Sequence, residues 1–358
     1  MMGLPLYASL LAGWMGVSVI ALLATGAPLV LRALLAGLLL ALCGVAGSLA
    51  PTIAQAFMDL GPALALCVHV ASERDADIRG VVLAFILAGN AALAVAFGRC
   101  DLLFVTMGAG LAVRLGLAHG PRGLDRAGWQ ALRIGLGGLV MAQGGLSVLQ
   151  VQWGSMADQA GAVLLVGGVL LACGILADPV TVPMAGAPLA QKMNTLAALP
   201  VVAHAAGMWP TIQPVLTFLG LLCLLWSVLP RGGDREPVIA WGAWAVMAAG
   251  LPGGVAALPL AACLLAVACM QVGATAMPAE TAPPWPPFLP GVALVLVFVG
   301  LMEHSAVVAV LAAIGLWPVM RRCRAAMMGQ TIGMRGTLSL GLGCMVLAAI
   351  IHHGGVGP

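Results

Sequence analysis

Residues 305–324 read SAVVAVLAAIGLWPVMRRCR, in which sixteen uncharged residues are followed at once by three arginines within four positions. A helix of sixteen to twenty residues is about 24–30 Å long, close to the thickness of the hydrocarbon core of a bilayer. Short cytoplasmic loops of membrane proteins retain arginine and lysine. The stretch therefore predicts a membrane helix whose carboxyl end lies at the cytoplasmic face.

The same composition extends along the whole chain of 358 residues. Hydrophobic residues make up 62% of it and charged residues only 8%, whereas a soluble domain carries about 25% charged residues. The net charge of +3 comes from arginines and lysines in the gaps between apolar segments, so it does not indicate a nucleic-acid partner. This excess of apolar side chains favours lipid as the solvent and as a direct partner of the protein.

Apolar segments recur along the sequence, and about fourteen of them are close to the length that crosses a bilayer as a helix. Helices satisfy their backbone hydrogen bonds internally, and no segment alternates with the period of a strand. The predicted fold class is an all-α polytopic membrane protein with about fourteen transmembrane helices, of which helices 7 and 12 are broken. The segments are 8–26, 33–51, 59–72, 80–98, 101–118, 132–150, 161–177, 193–209, 212–229, 238–251, 253–274, 287–302, 305–320 and 334–352.

The basic residues fall in every second gap between these segments. The even gaps hold only Arg99. Because lysine and arginine mark cytoplasmic loops, the odd gaps are predicted to be cytoplasmic, with both termini on the other side of a bacterial cytoplasmic membrane. The residues in the odd gaps are Arg32, Arg74, Arg79, Arg122, Arg126, Lys192, Arg231, Arg235, Arg321, Arg322 and Arg324.

Two ionisable residues near or within the segments are the first candidates for function, because a charge in hydrocarbon is costly. Asp178 ends segment 7 and is followed by Pro179 and Pro183, so it is either an ion-binding carboxylate at a helix break or a cap at the membrane surface. His204 lies in the middle of segment 8, where it either relays protons or stays neutral beside a backbone carbonyl. Both pairs of interpretations stay open.

Lys192 and Arg114 complete the set of ion-pathway candidates. Lys192 follows segment 7, and Arg114 lies late in segment 5, where an arginine can extend its side chain to the cytoplasmic surface. Glu303 and His304 lie where segments 12 and 13 meet. A turn is expected there, because one continuous helix from 287 to 320 would be about 50 Å long.

No motif in the sequence indicates catalysis. It contains no glycine-rich phosphate loop and no metalloprotease motif. The nine cysteines form no CxxC pair and are interpreted as packing residues. No catalytic residue, cofactor or metal is therefore expected in this chain. Many of the 48 glycines are spaced to let membrane helices approach closely.

Five stretches carry a resemblance to a known family. They are LAFILAGNAALAVAFGRCDLLFVTMGAGLA at 83–112, GILADPVTVP at 174–183, AWGAWAVMA at 240–248, PLAACLLAVACM at 259–270 and PPF at 286–288. In order and spacing they resemble the antiporter-like membrane subunits of respiratory complex I, membrane-bound hydrogenases and multi-subunit sodium/proton antiporters. The resemblance implies a single transmembrane domain over 1–358, with N-terminal helices at 1–79, an antiporter-like core at 80–302 and C-terminal helices at 303–358.

The residues that carry the proton path in that family are replaced here. The resemblance places a glutamate, three lysines, three histidines and a last acidic residue along the path, whereas this chain has one carboxylate and otherwise residues that cannot pass protons. Pumping by the family's mechanism is therefore not expected. The corresponding positions are Gly110, Asp178, Ala205, Val246, Pro259, Cys263, Val267 and Leu294.

Three functional hypotheses follow. The first is a structural, non-pumping subunit of a proton- or cation-translocating assembly that resembles NADH–quinone oxidoreductase or hydrogenase, with other membrane subunits as partners and quinone near the assembly. The second is an independent ion transporter with a reduced pathway around Asp178 and His204. The third is an unrelated permease with discontinuous helices at Pro179/Pro183 and at Pro286/Pro287/Pro290. The chain itself is at most a non-catalytic subunit of an enzyme.

Overall fold

All regular structure in the described part of the chain is α-helix, as the all-α prediction requires. Seven helices have defined bounds: α1 Arg126–Val151, α2 Ser155–Ala172, α3 Pro188–Met208, α4 Ile212–Val228, α5 Glu236–Ala249, α6 Leu289–His304 and α7 Ala306–Met327. The computed structural model describes residues 100, 101, 103–105, 107, 108, 111, 126–151, 153–173, 188–228, 236–252, 259, 260, 262, 263, 286–327, 340, 341, 343, 344 and 346–348.

The seven helices correspond to predicted segments 6 to 10, 12 and 13. Helical residues also occur at 100–111, 259–263 and 340–348, within or beside segments 5, 11 and 14. The first four segments lie outside the described residues, so the count of fourteen stays a prediction. The chain divides into two compact units, Met1–Val215 and Leu216–Pro358.

In the first unit, α1 and α2 form a hairpin with Trp153 and Gly154 in the connection between them. Gly154 has a φ of 119°, a left-handed conformation that glycine adopts without a Cβ penalty. The Asp158 amide donates a hydrogen bond of 2.9 Å to the Gly154 carbonyl, which starts α2 directly after Gly154. Residues 155–158, which the sequence assigns to a gap, are therefore the first turn of the helix.

This early start shifts α2 along the chain relative to predicted segment 7. The helix ends at Ala172, with Cys173 as its cap, so predicted segment 7 extends five residues beyond it. Asp178 follows the helix by six residues, and residues 174–187 lie outside the described part of the chain. The predicted break at Pro179 and Pro183 lies outside it too.

Small residues line the contact between α1 and α2. A Cβ added at Gly145 would lie 2.5 Å from the Gly161 carbonyl oxygen, and one added at Gly138 would lie 2.6 Å from that of Gly168. Real Cβ atoms do not approach backbone oxygens so closely, so only glycine allows this separation of the two helices. The small-residue spacing thus has the packing role that the sequence predicts.

A short turn at 209–211 joins α3 to α4. The Trp209 amide donates to the Ala205 carbonyl at 2.8 Å, and the Ile212 amide donates to the Trp209 carbonyl at 3.0 Å. The Gln213 side-chain Nε2 donates to the Ala206 carbonyl at 3.3 Å, which satisfies an otherwise free carbonyl near the end of α3.

In the second unit, α5 is buried at every side chain described, residues 242–249, and it contacts both α6 and α7. Gly220 of α4 faces α5, because a Cβ there would lie 2.9 Å from the Met247 amide nitrogen. A helix that is buried all round forms the centre of its unit.

The expected turn between segments 12 and 13 is confirmed at Ser305. This residue has φ −159° and ψ 105°, an extended conformation that ends α6 at His304, and Glu303 and His304 are exposed. From Leu289 to His304 helix α6 is continuous, so the break predicted for helix 12 is not within this range.

Within the part of the chain that the structure describes, two helical spans are long and apolar enough to cross a membrane, Leu132–Val151 and Ser155–Ala172. Of their residues 33% and 44% are buried, so both helices keep a surface that this chain does not cover. Shorter apolar stretches occur at Ala198–Met208, Ile212–Trp226, Leu289–His304 and Ala306–Trp317.

Candidate functional site

The four ion-pathway candidates differ in how far the structure places them. Asp178 and Arg114 lie outside the described residues, and Lys192 is placed by its backbone only, in the second turn of α3. His204 is placed completely, and its side chain is exposed.

The sequence places His204 in the middle of predicted segment 8, but in the structure it lies closer to the end of helix α3. Helix α3 ends at Met208, so His204 lies four residues, or about 6 Å, from its end. The neighbouring Ala205 is buried, with 0% of its surface exposed, because successive residues of a helix point about 100° apart. His204 therefore faces away from the interior of the chain, towards lipid, water or another subunit.

Lys192 and His204 do not belong to one cluster. Twelve residues of α3 separate them, which corresponds to about 18 Å along the helix axis. A proton relay needs groups within hydrogen-bond reach of one another or linked by water. These two residues therefore lie near opposite ends of α3 and cannot hand a proton directly to each other.

The buried interior of the described residues is almost entirely apolar. Thr217 is its one buried polar residue other than the cysteines, at 6% exposure, and no charged side chain is buried there. The Thr217 hydroxyl donates to the Gly250 carbonyl at 3.4 Å, which links α4 to the residue that follows α5. A hydroxyl satisfied by the backbone stabilises packing but does not take up a proton at neutral pH.

Five of the eight positions that the resemblance aligns with the family's proton path are described, and all five are buried. Ala205, Val246 and Cys263 are each 0% exposed, Leu294 is 6% exposed, and Pro259 is buried as well. Their side chains carry no charge at neutral pH. Gly110, Asp178 and Val267 lie outside the described residues.

Two buried polar atoms lack a hydrogen-bond partner in the described structure, the Trp244 Nε1 and the Asp158 Oδ1. Sequence reasoning did not single out either residue. Asp158 lies in the first turn of α2, where the helix dipole favours a negative charge. In the sequence, a glycine four residues before Asp158 indicates a helix start there. The prediction began segment 7 at residue 161 and therefore left Asp158 outside the helix.

Most cysteines whose side chains the structure describes are buried, as packing residues are. Cys100, Cys223 and Cys263 are buried and form no disulfide, Cys173 is buried as well, and Cys344 is exposed. Burial raises the pKa of the Cys100 thiol to about 11, and the Asp101 carboxylate adds to the rise. Cys100 lies between predicted segments 4 and 5 and is protonated at neutral pH, which makes it a poor nucleophile and a poor metal ligand.

The described residues contain no group of three His, Cys, Asp or Glu side chains that could hold a metal ion. Comparison with models of known protein families gives no match, and no curated protein matches the sequence. The resemblance to antiporter-like subunits therefore depends on the motifs in the sequence alone.

Proposed function

We propose that this chain is an integral membrane protein and acts as a structural, non-pumping subunit of an assembly that resembles complex I or a membrane-bound hydrogenase. It holds neighbouring membrane subunits together, while its partners carry out redox chemistry and ion translocation. The observation that carries this proposal is the apolar filling of the buried positions at which the family has its proton path.

The exposed apolar surface of α1 and α2 supports membrane insertion. Apolar side chains on both helices are exposed, among them Leu136, Val140 and Val163. A monomeric soluble protein rarely exposes a large contiguous apolar surface. In a bilayer the same surface is solvated by acyl chains.

The placement of tryptophan supports the predicted positions of the membrane interfaces. Trp129 near the start of α1, Trp226 near the end of α4 and Trp317 before the arginines of α7 are exposed, and all three lie at ends predicted to be cytoplasmic. Trp153 lies in a turn predicted to be on the other side and is exposed as well. Tryptophan is enriched at both membrane–water interfaces, as this arrangement requires.

A non-pumping role follows because ionisable side chains are costly inside a membrane and are retained there for functions such as ion transport. Ion pathways through a bilayer are marked by ionisable residues that face the protein interior. Within the described residues no charged residue is buried as a whole, and the buried Asp158 Oδ1 lies in the first turn of α2. The exposed His204 is near a helix end. A subunit with this interior contributes packing surface to its neighbours instead of a channel.

The experiment that tests this role uses everted membrane vesicles from cells that produce the chain at native levels. We expect deletion of the chain to abolish redox-driven proton uptake because the assembly is lost. Asp178→Asn and His204→Gln should keep the rate within about twofold of wild type, because neither side chain belongs to a proton path. Proton uptake is followed with a pH-sensitive dye, and assembly is followed on native gels.

The native gel is the control that separates assembly from transport. If Asp178→Asn or His204→Gln stops proton uptake while the assembly remains intact, the structural role is wrong and the independent pathway gains support. If deletion leaves redox-driven proton uptake unchanged, membership in such an assembly is wrong.

A further inference from the structure

Helix α7 carries an uncovered apolar face. Val307, Val310, Ile314 and Trp317 are 70%, 52%, 61% and 72% exposed, and their spacing of three, four and three residues puts them on one side of the helix. The opposite side is buried at Ala309, Ala312 and Gly315. The two sides of α7 thus differ sharply in environment.

The sequence of α7 becomes basic at its carboxyl end. The helix continues to Met327, and Arg321 and Arg324 follow Trp317 by four and seven residues, the spacing that keeps residues on one face. Arg322 is about 140° round the helix from Trp317 at 100° per residue. We call Val307, Val310, Ile314, Trp317, Arg321 and Arg324 the α7 stripe.

The positions of the α7 stripe along the helix fit one crossing of a bilayer. Ser305 and Arg321 are sixteen residues apart, or about 24 Å, so Arg321 lies at the cytoplasmic edge of the hydrocarbon core when the turn at Ser305 lies near the opposite edge. Ile314 and Trp317 then lie about 10 and 6 Å inside the cytoplasmic leaflet, and Arg324 lies at the depth of the phosphate groups.

We propose that the α7 stripe binds one anionic phospholipid of the cytoplasmic leaflet, with an acyl chain along Val310, Ile314 and Trp317 and the phosphate at the level of Arg321 and Arg324. This site depends on membrane insertion of α7, which is part of the function proposed above, but not on membership in a redox assembly. The α7 stripe changes from apolar to basic within two helical turns. A phospholipid matches this change, because its apolar acyl chain leads directly to its anionic phosphate, whereas a protein partner would need a surface with the same change.

Charge complementarity selects an anionic lipid over a neutral one. A guanidinium group pairs with a phosphate in a bidentate geometry, and basic clusters next to a membrane helix attract anionic lipids. A zwitterionic headgroup carries an ammonium group as well, which two neighbouring arginines repel. We therefore expect phosphatidylglycerol to bind more tightly than phosphatidylcholine with the same acyl chains.

The test compares two variants with the same change in charge on different sides of the helix. The full-length protein is purified in a mild detergent, together with any subunits that remain bound, and retained phosphatidylglycerol is titrated by native mass spectrometry. We expect Arg324→Gln to weaken phosphatidylglycerol binding about tenfold, Arg322→Gln to change it by less than about twofold, and Arg324→Lys to retain most of it.

A second measurement on the wild-type protein does not depend on the folding of any variant. A photoactivatable phosphatidylglycerol is crosslinked in native membranes, and the labelled peptides are mapped. Adducts within 306–327 support the site. Adducts confined to other helices, equal loss in Arg322→Gln and Arg324→Gln, or no preference over phosphatidylcholine would each overturn it.

The outcomes also separate this site from the proposals on which it depends. Failure of the chain to insert is recognised because the protein is then extracted from membranes by alkaline carbonate. Absence of partner subunits leaves the lipid result unaffected, since the site consists of residues of this chain alone.

Discussion

Gly145→Ala should lower the free energy of unfolding by about 1–3 kcal/mol, the range that overpacking of a close-packed site costs. The added methyl group would collide with the Gly161 carbonyl oxygen at 2.5 Å and with the Leu164 carbonyl carbon at 2.9 Å. Backbone atoms of a helix cannot turn away as a side chain can. Helices α1 and α2 would therefore have to separate and would lose contact along their shared length.

The neighbouring glycine provides a matched control. Gly144 has nothing within 4 Å of an added Cβ, so Gly144→Ala should be neutral, or stabilising by up to about 1 kcal/mol, because alanine is the better helix former. Thermal unfolding of both variants in the same detergent measures the difference. Equal stability of the two variants would mean that α1 and α2 are not in the close contact described above.

Val246→Lys should destabilise the protein by about 3–5 kcal/mol or more, the cost of a buried charge without a partner. Val246 is 0% exposed and lies three residues from the end of α5, and no Asp or Glu is among the buried residues that the structure describes. We expect most of this variant to aggregate when its folded fraction is measured by size-exclusion chromatography in detergent.

Val246→Met is the control for size, because methionine has a similar length and no charge. It should cost about 1–3 kcal/mol through overpacking alone. If the lysine variant is as stable as the methionine variant, the interior near Val246 contains water, and an ion pathway becomes the better interpretation of this region.

The helices were predictable because apolar length is a local property. Segments 6, 8 and 10 agree with α1, α3 and α5 to within six residues at each end. Helix α7 reaches Met327, seven residues beyond the predicted segment 13, because a helix can continue into the headgroup region, where arginines near its carboxyl end interact favourably with its dipole. Hydropathy marks the apolar part of a helix and not its full length.

The candidate site was less predictable, because burial depends on which side of a helix its neighbours cover. His204 and Ala205 are adjacent, yet one is exposed and the other is buried, and the sequence of α3 alone does not decide between them. The sequence predicts that glycines such as Gly145 allow close helix packing. It does not identify Gly161 as the residue that Gly145 contacts, because that depends on how α1 and α2 pair in the hairpin. Asp178 stays a sequence-based candidate.

The most direct test of the structural role is affinity purification of the tagged chain from its native membrane, followed by mass spectrometry of the co-purifying proteins. We predict that antiporter-like, dehydrogenase-like or hydrogenase-like subunits are recovered in fixed proportion to the chain, and that the chain aggregates when it is expressed without them. Recovery of the chain by itself, as a stable monomer in detergent, would contradict the account and leave the independent transporter as the better explanation.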